Sequence, residues 1–237
     1  MVRLIGSVFV YRGVAWQTFG YDSYRPLGSI RNILKIYDRH GVDEIIVSVR
    51  SDPEASKGPD LEVLEEIRSS NINTPVVFSG GIRSIEDVRK CLLHGVERVG
   101  LNACLYYPQK VKDIVDYIGV QGVIAVIPFV RKGKIFACFN SSHREFSSGL
   151  DGLLVDLPKD IEFLLHDADS DGSTEGFSWN ILPLTADRKI LLQGGVLQEF
   201  NFQKNNFSGI VIENRLLWSE CVIQKIKDGS DYLHRRV

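Results

Sequence analysis

Short apolar runs rich in valine and isoleucine recur along the chain, alternating with stretches in which apolar residues return every three or four positions. Eight of the runs read as strands, at 4–10, 44–49, 74–78, 98–102, 122–127, 161–165, 189–193 and 209–212. Several are apolar along their whole length, the pattern of strands that pack an enclosed interior on one face and helices on the other. Between them, 29–40 puts Ile30, Ile33, Leu34 and Tyr37 on one stripe, and 61–67 does the same with Leu61, Leu64 and Ile67. The segment 84–93 opens Ser-Ile-Glu-Asp, so Ser84 can cap the first free N–H groups and the acids suit the positive end of the helix. Eight such units predict an α/β fold, a (β/α)8 TIM barrel; a doubly wound open sheet is the alternative with the same alternation. Helices are predicted to be shortened in the C-terminal half. Residues 177–190 leave room only for a short helix interrupted by Pro183, and 195–209 reads as loop.

Composition narrows the classes. A chain of 237 residues with no Gly/Ser linker or charge block is expected to form a single barrel domain over 1–237. Hydrophobic residues at 44% and charged residues at 24% exclude disordered, collagen-like and coiled-coil readings. With 28 Lys+Arg against 30 Asp+Glu, the net charge of −2 gives no global attraction for nucleic acid or an anionic membrane, so neither is an expected partner. Cys91, Cys104, Cys138 and Cys221 are far apart with no CxxC pair, which points to reduced, buried thiols rather than zinc or disulfides. The first apolar run is too short for a signal segment or a membrane span, and a cytoplasmic protein is expected.

Chemistry concentrates where strands end. A weak internal echo places Gly-Gly after one strand in each half, in SGGIRS at 79–84 and QGGV at 193–196, and a small polar turn after the next, LNA at 101–103 and IEN at 212–214. Gly80 and Gly81 before a helix start, and Gly194 and Gly195 in the other half, expose backbone N–H groups suited to a phosphate, although glycine in a tight structural turn looks the same. Two such cradles across one mouth suit a substrate with a phosphate at each end. The stretch 167–174, Asp-Ala-Asp-Ser-Asp-Gly-Ser-Thr, carries three carboxylates on a strand exit. Partial burial there favours acid–base work, and Ser173 or Thr174 could bond a phosphate; a self-satisfied Asx turn is the equally open alternative. Its likeness to a calcium loop is discounted, because the final acidic ligand is absent and the flanks are strand. The five histidines form no HxxxH or His/Cys cluster, so no metal is expected, and His166 alone lies near the mouth, where a packed or solvent-facing imidazole is the first expectation. No GxSxG, Walker or GxGxxG pattern is present, and no cofactor is expected.

The ordered set RLI at 3–5, GVDEIIV at 41–47, SGGIRSIEDVRKCLLHGVERVGLNA at 79–103, IGVQGVIAVI at 118–127, DADSDGSTEGF at 167–177 and QGG at 193–195 resembles the cyclase subunit of imidazole glycerol phosphate synthase, the HisF family. The resemblance runs over nearly the whole chain, with a specific middle block and poor matches at 131–160 and 178–208. It implies a barrel that works with a glutaminase (HisH-like) subunit, receives ammonia along its axis and adds it to a phosphorylated substrate at the opposite mouth. Carried over residue by residue, it assigns phosphate binding to Gly80, Gly81, Asn102, Gly172, Ser173, Gly194, Gly195 and Asn214, an ammonia gate and partner face to Arg3, Glu44, Arg98 and Glu162, and catalysis to Asp171 with neighbouring Asp169. The family's threonine after the asparagine is Ala103 here, and Glu213 beside Asn214 would repel a phosphate. The family's two main acid–base aspartates fall at Phe9 and Pro128, its first-loop lysine at Gln17 and its second-strand aspartate at Val49. None of these side chains can transfer a proton. Two expectations follow: a divergent synthase subunit acting on another phosphorylated or nucleotide-sugar substrate, as in surface-polysaccharide sugar amidation, or an inactive barrel serving as scaffold, allosteric activator or phospholigand-binding module.

Overall fold

The computed structural model describes residues 2–20, 23–50, 58–172, 176–185, 187–196 and 207–212. Eight parallel strands close on themselves: β1 (Arg3–Tyr11), β4 (Glu44–Arg50), β5 (Val76–Ser79), β6 (Arg98–Leu101), β7 (Val123–Lys132), β10 (Glu162–Asp167), β11 (Lys189–Gln193) and β12 (Gly209–Ile212). β12 pairs in parallel with β1 and β10 with β7, so the eight-strand barrel has no edge and the open-sheet alternative is excluded. All eight runs predicted from the sequence are these strands.

Strand alternation sorts the core into two clusters. Ile5, Ile46, Val77, Ile124, Val126, Leu164, Leu191 and Val211 point to the axis and pack one another. The residues between them, such as Leu4, Ile45, Val99 and Phe163, face the helical shell.

The shell follows the stripes read in the sequence. Helix α1 (Ile30–His40) buries Ile30, Ile33, Leu34 and Tyr37 and ends at Gly41 in the left-handed region. In α2 (Leu61–Ser70), Asp60 accepts from the N–H groups of Glu62 and Val63, and Leu61 is exposed rather than packed. Helix α3 (Ile85–Leu93) is capped by Ser84, which accepts from Asp87 N–H as expected. Pro108 opens α4 (Pro108–Ile118), where its missing N–H is harmless. Beyond β7 the helices among the described residues are α5 (Leu150–Val155) and a 3₁₀ turn at Trp179–Thr185 containing Pro183.

Two antiparallel hairpins, absent from the sequence reading, extend the C-terminal ends of β1 and β7: β2 (Val14–Phe19) with β3 (Ser23–Gly28), and β8 (Ile135–Asn140) with β9 (Glu145–Gly149). They occupy matching places in the two halves of the barrel, after its first and fifth parallel strands. No helix among the described residues is long and apolar enough to cross a membrane.

Candidate functional site

At the N-terminal end of the barrel, alternation turns Arg3, Glu44, Arg98 and Glu162 toward the axis beneath the aliphatic plug. The four side chains form a closed ring of alternating charge. Arg3 Nη1 donates to Glu44 Oε2 at 3.1 Å, Arg3 Nη2 donates to Glu162 Oε1, Arg98 Nη1 donates to Glu44 Oε1 at 3.0 Å and Arg98 Nη2 donates to Glu162 Oε2 at 2.9 Å. Each guanidinium spans both carboxylates. This fork geometry suits arginine and would be lost with lysine. The glutamates are buried at 5% and 8% side-chain exposure while the arginines reach solvent at 30% and 15%, so one side of the ring is wet and the other sealed. Burial pushes the Glu162 carboxyl upward, but Arg3 and Arg98 outweigh it and hold the group below the usual carboxylate range. Burial likewise lowers Arg3, yet Glu162 and Glu44 prevail and raise it. Below the ring opens a concavity of about 510 Å³, lined by Arg3, Arg98 and Glu162 together with Val120, Gln121, Asp160, Lys189 and Ser208.

At the C-terminal mouth the segment 167–172 is drawn inward. Asp167 is fully buried and accepts from Ser170 N–H, Ser170 Oγ and Ser178 N–H, which makes it the staple of its own loop. Asp169 is exposed, and its Oδ2 accepts from Arg131 N–H at 2.8 Å on the β7–β8 hairpin. Asp171 is buried beneath the other hairpin. Thr18 Oγ1 donates to its Oδ2 at 2.6 Å, Gly20 N–H donates to its backbone carbonyl at 2.9 Å, and its Oδ1 lies 4.0 Å from His166 Nε2. His166 is packed rather than solvent-facing. Its burial depresses the imidazole against the pull of the Asp171 and Asp167 carboxylates, so the ring is neutral at pH 7.

The glycine turns match between halves. Gly80 and Gly81 have φ of 146° and 70°, Gly194 and Gly195 of 89° and 65°. A Cβ on Gly80 would stand 2.5 Å from the Val49 carbonyl oxygen, and one on Gly194 would collide with that of Asp167, so each turn lies against the end of the preceding barrel strand. Gly172 is similarly pressed on Phe19 of β2. Asn102 is engaged on both ends of its amide: Nδ2 donates to the carbonyls of Val126 and Phe139 at 2.9 and 3.0 Å, and Oδ1 accepts from Ser141 N–H at 2.9 Å. It thereby fastens the β8–β9 hairpin to the rim. Ser173 and Asn214 lie outside the described residues.

Phe9 stacks on Tyr24 of β3, with centroids 5.7 Å apart, and Pro128 pairs in register with His166. Gln17 is buried and accepts from Arg25 through Oε1 at 2.5 Å. Arg50 donates to the Tyr24 hydroxyl at 2.7 Å and lies over the rings of Tyr11 and Tyr24. Sequence reasoning missed this cluster and both hairpins; the signal was the glycine turn at Arg12-Gly13 between alternating segments.

Residues 6–212 match the family model described as histidine biosynthesis protein. Among similar proteins, the imidazole glycerol phosphate synthase subunit HisF of Dictyoglomus thermophilum is 29% identical over 167 residues, covering 68% of this chain and 66% of that protein. The HisF subunit of Chlorobium phaeobacteroides is 27% identical over 185 residues, covering 76% and 73%. That of Thermococcus gammatolerans is 25% identical over 204 residues, covering 81% and 79%.

Proposed function

The chain belongs to the histidine biosynthesis protein family as a divergent HisF-like member, and we propose that it is a synthase subunit taking ammonia from a glutaminase partner at its floor. On this reading the ammonia travels up the axis and is added at the mouth to a phosphorylated or nucleotide-sugar acceptor, as in sugar amidation for surface polysaccharides. One barrel domain over 1–237 carries both ends, in the cytoplasm.

The closed ring of Arg3, Glu44, Arg98 and Glu162 is the observation that carries this reading. Four inward charges are expensive in a barrel floor unless each meets its opposite, and well-packed apolar residues serve stability at least as well. Their retention is explained by a surface that must be polar toward a partner and impermeable until engaged. The concavity below supplies the docking face, with Lys189 and Asp160 at its edge. At the mouth, the paired turns at Gly80–Gly81 and Gly194–Gly195, with Gly172, offer backbone N–H groups for phosphate, and Asp171 takes part in the acid–base chemistry.

A second reading, an inactive barrel acting as scaffold, allosteric activator or phospholigand-binding module, is favoured by one specific arrangement. Asn102 and Asp169, both site residues by resemblance, are spent on holding the β8–β9 hairpin and the strand before it.

The experiment is glutamine hydrolysis by a HisH-type glutaminase, alone and mixed with this chain, across a panel of phosphosugars and nucleotide sugars. The synthase reading expects hydrolysis that rises only when both the chain and one acceptor are present. Stimulation indifferent to every ligand supports the scaffold, and no stimulation overturns both.

A further inference from the structure

Two of the positions where the family's proton-transfer groups belong hold a phenyl ring and a pyrrolidine, yet a titratable imidazole stands beside one of them. Alternation along β10 turns Glu162, Leu164 and His166 to the axis, and the parallel register sets His166 directly against Pro128 of β7. The imidazole therefore occupies the level of the missing acid, one strand over. On its other side the register partner is Gln193 of β11, whose amide reaches Ser7 of β1.

Asp171 completes the arrangement. Its carboxylate is buried, one oxygen is fixed by Thr18, and Oδ1 accepts no hydrogen bond among the described residues while facing His166 Nε2 at 4.0 Å. A buried carboxylate oxygen with an open valence destabilises the fold unless something uses it. The other carboxylate near the ring, Asp167, is already met by three donors. Among the described residues the titratable neighbours of the imidazole are these two aspartates; β7, β11, β1 and β2 contribute Pro128, Gln193, Ser7 and Thr18, none of which titrates near neutrality.

We infer that His166 and Asp171 form one proton-exchanging pair, with His166 as the proton acceptor in place of the absent aspartates and Asp171 as the counter-charge that receives the imidazolium. This rests on the synthase reading above and names the group that does its acid–base work. As the ammonia nitrogen bonds to the electrophilic carbon of the acceptor, one N–H proton passes to His166 Nε2. A small rotation then closes Nε2–H on Asp171 Oδ1, and the same proton leaves with the departing oxygen. No oxidant or metal enters the balance. Thr18 is a positioning residue, holding the carboxylate so that the open oxygen faces the ring.

The test has two readouts on the intact chain. The first follows the His166 Cε1–H signal by NMR through a pH titration in the wild type and in Asp171→Asn, a substitution of nearly equal volume. Loss of the carboxylate is expected to move the midpoint further down, because its charge is what favours the imidazolium; an unmoved midpoint overturns the pair whatever the activity. The second readout uses the glutaminase complex with an acceptor that stimulates it. His166→Asn is expected to lower product formation by about 100-fold or more and to remove the acid limb of the pH–rate profile, while glutamine hydrolysis stays within about three-fold of the wild type. A His166→Asn complex that keeps its product rate and acid limb overturns the inference and leaves the synthase reading standing. A wild-type complex that answers to no acceptor overturns the synthase reading and the catalytic role with it, and the NMR result then separates a bare electrostatic pair from no pair at all.

Discussion

The floor and the mouth of this barrel are made from the same eight strands, but they differ in how their polar groups are satisfied. At the floor every charge of the ring meets two opposite charges, and the four residues come from four strands, β1, β4, β6 and β10. At the mouth, satisfaction is local and uneven. Asp167, Asp169 and Asn102 are consumed by loops and hairpins, whereas one oxygen of Asp171, beside a neutral imidazole, accepts no hydrogen bond among the described residues. A network closed across strands resists change because no member can be lost singly without stranding two others. Groups that fasten a single hairpin can be reassigned one at a time. A floor tied across four strands therefore tolerates single substitutions less readily than a mouth tied one loop at a time.

Substitution should expose the asymmetry. Glu44→Ala leaves Arg3 and Arg98 each short of a partner in a mostly buried ring, and is expected to destabilise the fold by about 3 kcal/mol in urea unfolding. A loss under about 1 kcal/mol would mean that the ring is relaxed by water and acts as an exposed pair does. At the mouth, Thr18→Val removes one hydrogen bond to a buried carboxylate and should cost about 2 kcal/mol by the same assay. It should also raise amide exchange in β2 and β3 before any other element, since Thr18 and Gly20 tie that hairpin to the Asp171 loop.

Acid titration sharpens the same contrast with smaller effects. His166 is held neutral by burial, so the unfolded chain binds a proton there that the folded chain refuses. Stability is expected to decline as pH falls below the ordinary imidazole range, and His166→Asn should remove that decline. Glu162 is held below the usual carboxylate range, so its contribution is complete above that range and is lost only as pH falls through its lowered value. The mouth should therefore soften first and the floor second. Unfolding free energies measured from pH 8 to pH 3 check the order.

The eight strands were legible in the sequence because each is a short β-branched run whose alternation or continuity the barrel demands, and α1 and α3 because their stripes and caps are local signals. The hairpins were not read, although Arg12-Gly13 and Gly133 carry the positive φ of tight turns. Their strands were short extensions of longer apolar runs and looked like loops between a strand and its helix. The ring was legible only through family resemblance, since Arg3, Glu44, Arg98 and Glu162 lie up to 159 residues apart and only the parallel registers bring them together. The His166–Asp171 approach had no sequence signal at all. Residues five apart at a strand exit meet only when the loop between them turns back, and that turn is set by the bonds of Asp167 and by the pressure of Phe19 on Gly172.

The most direct measurement compares the two ends for one partner: the dissociation constant of a HisH-type glutaminase for the wild-type chain, for Lys189→Glu at the rim of the floor concavity, and for Arg50→Ala at the mouth. A floor kept as the docking face predicts binding to the wild type, a loss of about ten-fold or more for Lys189→Glu through reversal of an interfacial charge, and no change for Arg50→Ala. Absence of binding, or equal weakening by the two substitutions, would contradict it.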